Sequence, residues 1–98
     1  MITMKKTTFS AVDANEIIRL LEEPTEDRRP LKSALERGAP VKELVKALWL
    51  SKTVLTSRIL CDILGVKRAK TAIPALLNCL NNPDPSLKND AAEALGKI

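Results

Sequence analysis

Apolar residues along this chain recur every three or four positions, and Pro, Gly, Asn and Ser separate the runs. That spacing is the helical period. No segment alternates apolar and polar residues over a useful length, so the pattern predicts no sheet. Asp13 followed by Glu16 has the form of a capping box. It predicts a first helix bearing Ile17, Ile18, Leu20 and Leu21, stopped by Pro24. Pro30 suits the first turn of a second helix with Leu31, Ala34 and Leu35, and Gly38 is expected as its C′ residue. Pro40 opens a third, in which Val41, Leu44, Val45, Leu48 and Trp49 fall at i, i+3, i+4, i+7 and i+8. Ser51 or Thr53 caps a fourth, with Leu55, Ile59, Leu60, Ile63 and Leu64 on its stripe and Gly65 at its end. A fifth carries Ile73, Leu76, Leu77 and Leu80 until Asn81-Asn82-Pro83 breaks it. Asp84 caps a sixth, with Pro85 at N1 and Leu87, Ala91, Ala94, Leu95 and Ile98 on one face.

Six helices joined by short turns make three pairs, and the pairs repeat. A shift of 31 residues lays Leu64-Gly65 on Leu95-Gly96, and Cys61, Asp62 and Ile63 on Ala92, Glu93 and Ala94. With one further residue of slip, Leu44, Val45 and Leu48 fall on Leu76, Leu77 and Leu80. Self-similarity at about 30 residues is the signature of a solenoid, in which stacked pairs share a core that one pair cannot build alone. The expected architecture is an all-α solenoid of about three antiparallel helix pairs over residues 13–98, preceded by a flexible tail over 1–12.

The last pair reads Ala72-Ile73-Pro74-Ala75-Leu76-Leu77, then Asn82-Pro83-Asp84-Pro85-Ser86-Leu87-Lys88, then Ala91-Ala92-Glu93-Ala94-Leu95-Gly96-Lys97-Ile98. It resembles the short HEAT-like repeat named after the phycobilisome lyases. The motif is densest over 72–98 and degraded over 41–65. Where that family usually has an Arg that ties successive turns together, this chain has Lys88, which lacks the planar fork. The resemblance implies an interaction scaffold, some relatives of which handle chromophores or form parts of lyases. It transfers no catalytic residue, because the repeat motif is structural.

Composition narrows the function. The chain has 98 residues, 45% hydrophobic and 29% charged, as expected of a folded domain. It contains no His, which removes the commonest general base and metal ligand. Three glycines form no phosphate-cradling loop. The acidic run Glu22, Glu23, Glu26 and Asp27 is read as a solvated turn rather than a cation or acid–base site. Cys61 and Cys79 match no zinc or redox spacing and have no second cysteine nearby in sequence. They are read as reduced, buried small hydrophobes rather than a reactive thiol or a bilin attachment point. Trp49 is assigned to the core, with an interface anchor as the other reading. The chain is therefore expected to be no enzyme and to take no cofactor and no metal.

The net charge of +4 is modest and the acids interleave with the bases, so a nucleic-acid partner is not the primary expectation. Lys5-Lys6-Thr7-Thr8-Phe9-Ser10 is too polar for a signal peptide, and no apolar run approaches the length of a membrane span. The expected location is the cytoplasm. The second helices of HEAT-like pairs line the concave face, which implies a partner-binding strip of Arg28, Arg29, Lys32, Arg58, Lys88 and Asn89. The turn at Lys67, Arg68 and Lys70 is the candidate anion contact. The last helix is Ala-rich, so its outer side is expected to meet further repeats, a partner or a second copy. The reading is a protein-interaction module, with a nucleic-acid-binding helical array and an accessory subunit of a lyase or other enzyme as alternatives.

Overall fold

A computed structural model describes residues 11–98 of the chain. Among them are six α-helices: α1 (Ala14–Glu22), α2 (Arg29–Gly38), α3 (Val41–Leu50), α4 (Val54–Val66), α5 (Ile73–Cys79) and α6 (Pro85–Lys97). One 3-10 turn, Lys70–Ala72, leads into α5. No strand occurs among the described residues. Most of the expected tail, residues 1–10 with Phe9, lies outside the described residues.

Helices α1, α4 and α6 start where side-chain oxygens meet free amides. Asp13, Thr53 and Asp84 accept from the backbone N–H three residues on, at 2.9, 3.3 and 3.0 Å. Each cap satisfies a donor that the helix itself cannot. A second carboxylate serves α1 from a distance: Glu43 Oε1, in the first turn of α3, accepts from Ala14 N at 2.9 Å. Pro30 and Pro85 sit in the first turns of α2 and α6, where no N–H is needed.

The six helices form the expected three-pair α-solenoid, 44 × 25 × 19 Å. The first helices α1, α3 and α5 make one layer and the second helices α2, α4 and α6 the other. α4 and α6 share the most extensive interface, and α1 packs on α3. Leu35, Leu44, Leu60, Ile63, Leu64 and Leu76 are fully buried between the layers. The first pair is splayed: α1 packs mainly on α3 and α2 on α4, each supported by the next pair rather than by its own partner.

Two expected helix stops differ. Gly38 and Gly65 are the last-turn residues of α2 and α4, and neither takes a left-handed backbone. α4 runs past Gly65 and ends in a Schellman arrangement one turn later. Ala69 N donates to Leu64 O at 3.1 Å and Arg68 N to Gly65 O at 3.0 Å. The left-handed position falls on Arg68, with φ of 53°. Gly65 is required for another reason: a Cβ there would lie 2.9 Å from Ala94 Cα and 3.0 Å from its Cβ. The glycine lets α6 press against α4.

Trp49 is also corrected. It is 52% exposed rather than in the core, and Leu50, Val54 and Leu55 beside it are exposed as well. The α3–α4 corner thus carries an apolar patch. Ile73 and Leu77 lie exposed on α5 although both fall on its predicted stripe.

Candidate functional site

The second helices form a shallow groove of about 360 Å³. Lys32 of α2, Leu55, Arg58, Ile59 and Asp62 of α4, and Asp90, Glu93, Ala94 and Lys97 of α6 line it. The 3.6-residue period of α4 turns Leu55, Arg58, Ile59 and Asp62 to one side. The matching side of α6 presents Asp90, Glu93, Ala94 and Lys97.

Charges of both signs interleave across this groove. Arg58 Nε donates to Asp90 Oδ2 at 2.7 Å, joining α4 to α6. The carboxylate beside it holds the guanidinium pKa above its ordinary value. Lys32 Nζ reaches Asp62 Oδ2 at 2.5 Å and Glu36 Oε2 at 2.9 Å. Partial burial works against the Lys32 charge, but the hydrogen bonds to Asp62 and Glu36 outweigh it and raise the pKa. Lys97 Nζ approaches Asp62 from the other side at 3.9 Å. Asp62 thus sits between a cation of α2 and a cation of α6. Leu55, 49% exposed, supplies apolar surface next to these charges.

Of the strip inferred from the sequence, only Lys32 and Arg58 line the groove. Arg28 instead ties the α1–α2 turn to the end of α1. Its Nε donates to Leu21 O at 3.0 Å and one terminal nitrogen donates to Glu23 O at 3.3 Å, satisfying carbonyls at the end of α1. Arg29 is exposed and engages Asp27 through two hydrogen bonds of 2.9 and 3.0 Å. That contact holds the Asp27 carboxyl below the usual carboxylate range. Lys88 and Asn89 are exposed on α6 outside the groove. Asp62, Asp90 and Leu55 also line the groove and were not in that strip. A signal existed: Asp90 follows Arg58 by 32 residues, close to one repeat, so the pair spans adjacent second helices.

The basic turn does not converge either. Lys67 Nζ donates to Glu36 O at 2.6 Å and so caps the end of α2. Arg68 and Lys70 are exposed. The acidic run Glu22, Glu23, Glu26 and Asp27 is exposed too, and no group of three metal-ligating side chains occurs among the described residues.

Cys61 and Cys79 are buried, as expected, but they are not apart. α4 and α5 bring their sulfurs to 4.0 Å. Sequence spacing hid the pair because the two cysteines belong to different helices. No described helix is long and apolar enough to cross a membrane.

The chain matches no curated protein and no solved structure at a significant level. Over residues 72–98, the third helix pair, it matches the family model of the Armadillo/beta-catenin-like repeat, an α-solenoid repeat.

Proposed function

We propose that this chain is a non-catalytic protein-interaction module that holds a segment of another protein along the α2–α4–α6 groove. The observation that carries this reading is the mixed lining: exposed Leu55 flanked by the cations Lys32 and Lys97 and the acids Asp62, Asp90 and Glu93. A polypeptide offers apolar side chains and charges of both signs to such a surface. A polyanion would meet three carboxylates there. The short repeat, the turn Asn82-Pro83-Asp84-Pro85 and the Ala-rich last helix favour a HEAT-like type of array, and the armadillo match over the same stretch supports an α-solenoid repeat suited to binding. The proposed location is the cytoplasm.

Self-association through the third repeat belongs to the same reading. The repeat shift puts Gly96 on α6 where Gly65 lies on α4, and nothing stands within 4 Å of a Cβ built at Gly96. Gly96 and the exposed Ala92 offer a second helix a close approach like the one α6 makes on α4.

The test is a pull-down from the source lysate with and without nuclease, run beside Leu55→Asp. A specific protein that survives nuclease and is lost with Leu55→Asp supports the module. Capture that nuclease abolishes favours the nucleic-acid reading, with Arg68 and Lys70 as its first contacts. A co-purifying catalytic chain or absorbance above the protein band favours the accessory-subunit reading.

A further inference from the structure

Cys61 and Cys79 form a buried dithiol with unequal access. Cys61 is fully buried in α4 and Cys79, at the end of α5, is 7% exposed. Cys79 also forms part of the wall of a cleft of about 320 Å³ between the α3–α4 corner and the Asn78–Pro83 turn, beside Trp49, Ser51, Ser57 and Asn82. The lining is mostly polar, with the Ser51 and Ser57 hydroxyls hydrogen-bonded to each other at 2.8 Å. Such a cleft is polar and roomy enough to admit water and hydrogen peroxide.

We propose that this pair is a peroxide-reactive site, in which hydrogen peroxide converts Cys61 and Cys79 into an intramolecular disulfide that staples α4 to α5. Cys79 is the attacking sulfur. It is the one that faces the cleft, and the Cys61 S–H is directed at it across 4.0 Å. That hydrogen bond lowers the Cys79 pKa, while burial opposes it. The Cys61 thiol is pushed up, first by the bond it donates, then by burial and by the carboxylates of Asp90 and Asp62. The carbonyl end of α5 disfavours an anion at Cys79, so the reaction is slower than at a thiol placed at a helix N-terminus.

The steps balance. The Cys79 thiolate attacks one peroxide oxygen, the O–O bond breaks, and hydroxide leaves as the sulfenic acid forms. Cys61 then attacks the Cys79 sulfur. Its proton and the departing S–OH oxygen leave as water, and the S–S bond forms. The two sulfurs lose two electrons and the peroxide takes them. The sulfurs have to close from 4.0 Å to about 2.05 Å, which side-chain rotation at both residues has to supply.

The folded chain offers its own reporter, because Trp49 is the only Trp, there is no Tyr, and Trp49 borders the same cleft. The experiment treats the reduced, folded protein with hydrogen peroxide and follows intact mass, tryptic peptides and Trp49 emission. Lys67, Arg68 and Lys70 separate the cysteines, so the cross-link joins two tryptic peptides. The expected result has four parts: a mass lower by two hydrogens, a linked Cys61–Cys79 peptide, quenched Trp49 emission restored by dithiothreitol, and a Tm raised by on the order of 10 °C. In Cys61→Ser the sulfenic acid on Cys79 should persist long enough to be trapped by dimedone. Thiols that stay reduced in the folded chain overturn the proposal. So does accumulation of sulfinic or sulfonic acid in the wild type, or a disulfide that joins two chains.

Discussion

Gly65 and Ala94 meet where α4 crosses α6, so closely that a Cβ on Gly65 would stand 2.9 Å from the Ala94 Cα. Backbone cannot swing aside as a long side chain can. Gly65→Ala should therefore destabilise the fold by about 1–3 kcal/mol, because overpacking outweighs the helix propensity that Ala brings. Gly96→Ala has open space and should be neutral or slightly stabilising. Denaturant unfolding of both variants checks the pair. Equal midpoints would contradict the close-approach explanation.

Arg68 holds a left-handed backbone with φ of 53° at the end of α4. A side chain there costs about 1–2 kcal/mol that glycine does not incur. Arg68→Gly should raise stability by about 0.5–1 kcal/mol, since its greater freedom in the unfolded chain returns part of the gain. A loss of stability on thermal unfolding would show that the Arg68 side chain makes a contact of greater worth.

These two positions mark what the sequence could and could not display. Caps and first-turn prolines act locally, so Asp13, Thr53, Asp84, Pro30 and Pro85 read correctly. Glycine has more than one use, and Gly65 serves packing where chain order suggested a stop. Periodicity defines a stripe without saying which neighbour covers it. Trp49, Leu55 and Leu77 lie on predicted stripes yet remain exposed, because the layers do not cover that part of their helices. The groove was half legible. Lys32 and Arg58 stand out as cations on second helices, whereas the roles of Asp62 and Asp90 depend on the side chains that neighbouring helices bring to them, at which only the one-repeat spacing of Arg58 and Asp90 hints. The cysteine pair was hidden in the same way.

Arg58 ties two repeats together, so it cannot be reversed without cost. Arg58→Glu places two carboxylates where an ion pair stood at 2.7 Å. Stability should fall, and Asp90→Arg in the same chain should restore part of it. Arg29→Glu, on an exposed arginine whose partner is its neighbour Asp27, should leave stability nearly unchanged. A double-mutant cycle on Arg58 and Asp90 with no coupling would contradict the tie.

Lys32 carries a pKa raised by its bonds to Asp62 and Glu36. A group raised in the folded state contributes stability that is fully present below its unfolded value, about 10.4 for lysine. That contribution is lost as pH rises through the folded value. Lys32→Met should therefore lower stability at neutral pH and flatten its alkaline decline. Unfolding curves at neutral and alkaline pH for both proteins check the sign. The effect is modest, because the ammonium is partly exposed.

Binding at the groove is tested most directly by a quantitative pull-down with nuclease present, comparing the unaltered chain with Leu55→Asp. Leu55 is 49% exposed, so the substitution should leave the Tm nearly unchanged. The predicted result is a specific protein captured by the unaltered chain and reduced at least about tenfold by Leu55→Asp, the loss expected for an interface anchor worth more than 1.4 kcal/mol. Equal capture by the two proteins, or capture that disappears on nuclease treatment alone, would contradict it.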